Sequence, residues 1–159
     1  CVVNLREDGQ ALGLGDAVAT VADKILLFEE FLARENMAKR LSLPLRPLQE
    51  TETLVHGHCH QKAVGAMKAM RRVLKLIPGH DFSMIEAGCC GMAGSFGLEA
   101  EHAEMASAMA ERDLMPALRD KPKAQIIANG FSCRQQMRLH GDTRARHLAI
   151  LLREALVGT

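Results

Sequence analysis

Thr53-Leu54-Val55-His56-Gly57-His58-Cys59-His60 decides how this chain is read. A short β-prone run breaks at a glycine, delivers a cysteine, and gives way at once to a helical pattern. From Lys62 to Leu76 the residues Ala63, Val64, Met67, Met70, Val73 and Leu74 fall on one helical face, closed by Pro78-Gly79. The same unit returns twice. Phe82-Ser83-Met84-Ile85-Glu86 leads into Gly88-Cys89-Cys90-Gly91, followed by a helix from about Glu99 to Leu118. Ala124 to Ala128 leads into Asn129-Gly130-Phe131-Ser132-Cys133, then a short helix, Gly141, and a last helix over roughly Ala145 to Leu156. This alternation predicts an α/β, three-layer fold with a mainly parallel sheet built from βα repeats and right-handed crossovers. In such sheets functional groups gather beyond the carboxyl ends of the strands. Each strand here delivers its cysteine at that end, so residues distant in sequence are expected to meet.

Upstream, Val18, Val21, Ile25, Leu26, Phe28 and Leu32 recur every three or four positions and predict one amphipathic helix from Asp16 to Glu35, after a turn at Gly13 and Gly15. Leu41 to Thr53, with Pro44 and Pro47, reads as an irregular connector. The organisation expected is a segment 1–52 of helix and connector ahead of a repeat unit 53–159, together one compact domain. The first residue is Cys1 rather than Met, so a piece of a longer polypeptide is expected.

Composition narrows the function classes. The 159 residues carry 20 basic and 19 acidic side chains, a net charge of +1, and neither Trp nor Tyr. No global field attracts nucleic acid, and stacking platforms for bases are nearly absent, so nucleic-acid binding is not expected. No apolar run approaches a membrane span, so an integral membrane protein is not expected either. Five cysteines, an odd number, argue against a secreted disulfide framework and for a reducing cytoplasmic setting. The nine methionines sit mostly at helical spacing and read as core filler.

Cys59, Cys89, Cys90 and Cys133 are the candidate ligands of a metal centre. Neighbouring cysteines chelate one ion only through a strained small ring, whereas a cluster offers a different iron to each sulfur. The doublet therefore favours an iron–sulfur cluster, of the [4Fe–4S] kind, over zinc. A zinc-binding structural module is the alternative, and a thiol–disulfide module another. Buried inert thiols and a vicinal Cys89–Cys90 disulfide are the remaining readings. Gly91, Gly94 and Gly97 permit a tight turn after the doublet with backbone N–H groups free to face sulfur. Gly91 and Gly94 are accordingly counted with the cofactor site. His56, His58 and His60 flank Cys59 on alternate positions of an extended segment. His58 and His60 are further candidate ligands, with hydrogen bonding or capping of the next helix as the blander role. His80, His102, His140 and His147 read as solvated. Arg71, Arg72, Arg134, Arg138, Arg144 and Arg146 read as solvated helix faces, or as a docking surface for an acidic partner.

The segments His56-Gly57-His58-Cys59-His60-Gln61, Gly88-Cys89-Cys90-Gly91-Met92-Ala93-Gly94-Ser95-Phe96-Gly97 and Asn129-Gly130-Phe131-Ser132-Cys133 resemble the cysteine-rich CCG domain. That domain occurs in heterodisulfide reductases and in the iron–sulfur subunits of glycolate oxidase type. It also forms the carboxyl end of fused FAD-linked 2-hydroxy-acid dehydrogenases, which these motifs resemble most. The resemblance spans residues 53 to about 150. It implies that Cys1 is the terminal cysteine of a preceding repeat, and hence one more candidate ligand. One departure stands out: Cys133 is followed by Arg134-Gln135-Gln136, where the heterodisulfide reductase pattern ends in Cys-x-x-Cys.

The expectation is therefore an electron-transfer domain of a flavin-dependent oxidoreductase acting on a 2-hydroxy acid of the glycolate or D-lactate type. FAD is expected in the parent protein and not in this segment, which alone is not expected to turn over substrate. The expected partners are a flavin-binding dehydrogenase domain or subunit and a quinone or electron-carrier acceptor. The expected location is the cytoplasm, or the periphery of the membrane's inner face.

Overall fold

The computed structural model describes residues 2–13, 15–49 and 52–158. Four short strands form one all-parallel sheet in the order β2-β1-β3-β4, with β1 at Thr53–His56, β2 at Phe82–Met84, β3 at Gln125–Ala128 and β4 at Ala145–Arg146. β1 is central, aligning Val55 with Met84 on one side and with Ile127 on the other. β4 extends the sheet beyond β3, pairing Ile127 with Arg146.

Alternation of side chains along the strands divides the interior in two. Leu54, Ile126 and Ala128 face a core shared with Leu114 and Leu118 of helix α6 (Ala103–Asp120) and Met137 of helix α7 (Phe131–Leu139). Val55 and Ile127 face the other core. There they meet Leu32 of α3 (Phe28–Met37), Met70, Val73 and Leu74 of α5 (Met67–Leu74), and Leu148 and Leu151 of α8 (Leu148–Ala155). Helices on both faces of a parallel sheet make the three-layer α/β arrangement that the alternation predicts.

Several boundaries differ from the sequence expectation. The helix expected over Asp16–Glu35 is two, α2 (Asp16–Ala22) and α3, because the Glu30 carboxylate accepts the Leu27 backbone N–H at 2.8 Å and starts a new helix there. The helix expected from Lys62 begins earlier and is also split. α4 (Cys59–Ala63) is separated from α5 by Gly65, whose φ of +72° suits glycine. The stretch before α6 is two 3₁₀ turns, Phe96–Leu98 and Ala100–His102. Ala145–Arg146, expected inside the last helix, is β4. Val2–Ala11, for which no element is expected, is helix α1.

The segment ahead of β1 is stitched to the far end of the chain. Leu45 forms an antiparallel bridge with Leu156, the Arg46 N–H donates to the Ala155 carbonyl at 2.8 Å, and the Val157 N–H donates to that of Pro44 at 2.9 Å. No helix among the described residues is long and apolar enough to cross a membrane.

Candidate metal centre at three strand tips

Parallel alignment puts the carboxyl ends of β2, β1 and β3 side by side, and the four expected cysteines lie just beyond them. Cys59 opens α4 and is exposed, Cys89 is half-buried in the loop after β2, and Cys90 and the first-turn Cys133 of α7 are buried. Their thiols form a continuous string. Cys59 is in hydrogen-bonding reach of Cys89, and Cys90 of both Cys89 and Cys133. All four are free thiols. Cys1 lies outside the described residues. Among the described residues no three His, Cys, Asp or Glu side chains are arranged to hold a single metal ion.

Proximity reshapes the acidities. A hydrogen bond from Cys133 is the largest influence on Cys90 and, against its burial, brings that thiol down to about 6. Cys133 is pushed far above the ordinary thiol range by the same hydrogen bond and by burial, because it keeps the shared proton. Cys59 is raised by partial burial of its sulfur and by the neighbouring Cys89. The Gly91 N–H donates to the Cys89 sulfur at 3.4 Å.

Local chemistry explains why the tips sit where they do. Gly91 has φ +88°, and a Cβ there would run into the Ala106 carbonyl oxygen, so the doublet's turn is pressed against the start of α6. At Gly130 a Cβ would stand 2.5 Å from His58 Cδ2 and 3.0 Å from the Cys133 sulfur; only glycine lets the β3 tip pass between them. Gly94, with φ +73° and open space where a Cβ would stand, serves the turn.

Cations hold two of the loops. Lys62 of α4 donates its ammonium to the Ala87 carbonyl, just before Cys89. Arg134 Nη1 donates to the carbonyls of Ala128 and Asn129, at 2.7 and 2.8 Å, just before Cys133. Arg134 is therefore a staple of the site rather than a solvated side chain. Arg144 corrects the same expectation, gripping the Leu118, Lys121 and Ala124 carbonyls.

The histidines separate. His58 caps α4: its Nδ1 accepts the His60 N–H at 3.2 Å, while Gln61 Oε1 accepts the His58 N–H at 3.2 Å. Its ring packs edge-on to His60. His56 stays in β1 and is 1% exposed, and burial pushes it down to about 4. His147, expected in solvent, is half-buried and caps α8 through the Ala149 N–H.

Sequence reasoning missed the carboxylate that joins the tips. Glu29 of α3 is 2% exposed. Gln61 Nε2 donates to its Oε1, and Asn129 Nδ2 donates to its Oε2 at 2.9 Å. Burial raises its pKa, against the hydrogen bonds that favour its charge. An acidic residue near a helix start reads in sequence as a surface charge, and the signal that would have found it is its place three and four positions before Leu32 and Ala33, on the buried face of α3. Glu29 also lines a cavity of about 590 Å³ beside the tips, together with Phe28, His58, Asn129, Phe131 and His147.

Comparison with known proteins finds similarity to dehydrogenases. The chain is 30% identical over 122 residues to D-2-hydroxyglutarate dehydrogenase of Escherichia coli K12, covering 76% of this chain and 12% of that protein. It is 26% identical over 115 residues to one subunit of the anaerobic glycerol-3-phosphate dehydrogenase of the same organism, covering 72% of this chain and 28% of that polypeptide. To D-2-hydroxyglutarate dehydrogenase of Pantoea ananatis it is 36% identical over 75 residues, 46% of this chain and 7% of that protein. The chain thus spans under a third of the length of these curated relatives. No family model matches it. No solved structure matches it.

Proposed function

We propose that this chain is the iron–sulfur-binding, electron-transfer part of a flavin-dependent dehydrogenase of the 2-hydroxy-acid type, a cysteine-rich CCG domain. The observation that carries the reading is the string of four thiols at three adjacent strand tips. Similarity to two kinds of dehydrogenase whose substrates carry a hydroxyl group supports it.

The donor set fits a cluster better than one ion. A lone zinc needs its ligands closed tetrahedrally around a point, whereas a multi-iron cluster is larger and takes one thiolate per iron. Cys59, Cys89, Cys90 and Cys133 would hold it, and when bound it supplies one-electron acceptance and donation at a tuned potential. The chain's own groups do the rest. Cys90 already favours its thiolate at neutral pH. The Gly91 N–H is aimed at the Cys89 sulfur, and such hydrogen bonds raise a potential by stabilising negative charge. Lys62 and Arg134 bring positive charge to the loops that carry the thiolates. Cys59 is exposed, and electrons would enter or leave from its side. In the parent protein the donor is reduced flavin on another domain, and the acceptor is a quinone or a carrier protein.

Anaerobic purification, with iron and sulfide measured per chain, tests this directly. The expected outcome is about four of each and broad absorbance near 400 nm, in line with a [4Fe–4S] centre. Bound zinc without sulfide would replace it with a structural zinc site. The hydrogen bond between Cys133 and Cys90 favours one other reading, a dithiol exchanging with disulfides. That reading requires a metal-free chain whose reductase activity disappears in Cys90→Ser.

A further inference from the structure

We infer that Glu29 is a positioning residue for the thiol site, holding the Cys59 and Cys133 tips in register through a hydrogen-bond relay of fixed direction. The inference rests on the proposed role of those thiols, though its structural half stands without it.

An ionised carboxylate accepts hydrogen bonds and donates none. Glu29 therefore obliges both facing amides to turn their NH₂ groups inward: Gln61 towards Oε1 and Asn129 towards Oε2. Each amide oxygen then points away and captures a backbone N–H. Gln61 Oε1 accepts from His58 at 3.2 Å, which starts α4 with Cys59 as its first residue. Asn129 Oδ1 accepts from Leu148 at 2.9 Å, which ties the β3 tip, four residues before Cys133, to the start of α8. One buried carboxylate on α3 thus fixes two cysteine-bearing tips and a third helix. None of the three side chains of this relay, Glu29, Gln61 and Asn129, is a proposed ligand, and α3 lies outside the βα repeats.

The direction of the relay makes Glu29→Gln a disruptive change, although it is nearly isosteric. The new amide offers one acceptor and one donor. Whichever way it turns, its NH₂ meets that of Gln61 or Asn129, and the displaced amide must flip. The flipped amide then presents NH₂ to the His58 or Leu148 N–H, and that backbone donor loses its acceptor. A second substitution repairs this. In the double variant Glu29→Gln/Asn129→Asp, the amide at position 29 accepts from Gln61 and donates to the carboxylate at position 129, whose other oxygen still accepts from Leu148. Asn129→Asp alone places two carboxylates face to face.

The test is a double-mutant cycle on the 159-residue chain. It measures native-state hydrogen exchange at His58 and Leu148, and iron, sulfide and reduction potential after anaerobic reconstitution. In Glu29→Gln one of those two amides is expected to exchange roughly tenfold faster or more, the scale of a buried group left unpaired. Asn129→Asp also weakens the relay. The double variant is expected to return to within about twofold of the wild type. Iron and sulfide retention should fall in both single variants and recover in the double. The potential should rise in Glu29→Gln, which removes a nearby negative charge, and drop back in the double, which restores one. A double variant that fails to fold, or that exchanges no more slowly than the singles, overturns the inference. So does a Glu29→Gln variant indistinguishable from the wild type. Absence of iron and sulfide from the wild type itself would remove the cluster reading, while the exchange cycle would still decide whether Glu29 holds the tips.

Discussion

His56 ends the central strand with its ring sealed in protein, and its Nδ1 is without a hydrogen-bond partner among the described residues. Burial, then the nearby Lys62, brings it down to about 4 from an ordinary 6.5. An unfolded chain takes up this proton near 6.5, and the folded ring resists until about 4. In that interval acid favours the unfolded state, so the stabilising effect is complete above about 6.5 and lost on the way down. A tenfold change in proton affinity corresponds to about 1.36 kcal/mol, and the whole displacement to about 3 kcal/mol. Measured by urea unfolding, the stability of the wild type relative to His56→Phe should fall by about that much between about pH 7 and pH 4. A difference that stays flat with pH would mean that the ring is hydrated or paired. The neighbouring tip shows how residue type decides placement. Gly91 and Gly130 stand where a Cβ has no room, and Gly91 alone of the two also needs a positive φ.

The three strands that matter most are legible in sequence because each is a short apolar run stopped by a glycine and followed by a cysteine, a pattern that survives without tertiary context. The parts that are not legible follow from contacts that periodicity does not carry. Val18 to Leu32 keep helical spacing straight through the break between α2 and α3, which is set by the Glu30 carboxylate on the Leu27 N–H and by Arg6, whose Nη1 reaches the same oxygen at 2.8 Å. Ala145–Arg146 is too short to show alternation, and it is a strand only because β3 lies beside it. Gly65 is hidden for the same reason, since the apolar face of Ala63, Met67 and Met70 continues across it. That break lets α4 aim Cys59 at the tips while α5 turns Met70, Val73 and Leu74 into the core. A Cβ at Gly65 would meet nothing within 4 Å, so Gly65→Ala should carry only the cost of the left-handed conformation, about 1 kcal/mol. The chemical-denaturation midpoint reports this, and unchanged or increased stability would show that a continuous helix from Cys59 to Leu74 is tolerated.

At the scale of the molecule, the thiol site depends on both layers of helices at once. Cys90 and Cys133 belong to the core beneath α6 and α7, while Glu29 reaches the same tips from α3 on the opposite face. α3 is itself anchored in the second core, where Leu32 and Ala33 are buried with Val55 and Ile127. Both cores take alternate side chains of the same two strands, β1 and β3, so loosening one is expected to loosen the other. Leu32→Ala should therefore act well beyond its own helix. The cavity and lost transfer energy amount to about 2–5 kcal/mol for a buried leucine. Unfolding should remain one cooperative transition, shifted in midpoint, with far-UV circular dichroism and the amide protection of β1 lost together. Two separated transitions, with β1 to β4 surviving the loss of α3, would show that the sheet and its thiols form an autonomous unit. Glu29 would then be an accessory to the site and not one of its supports.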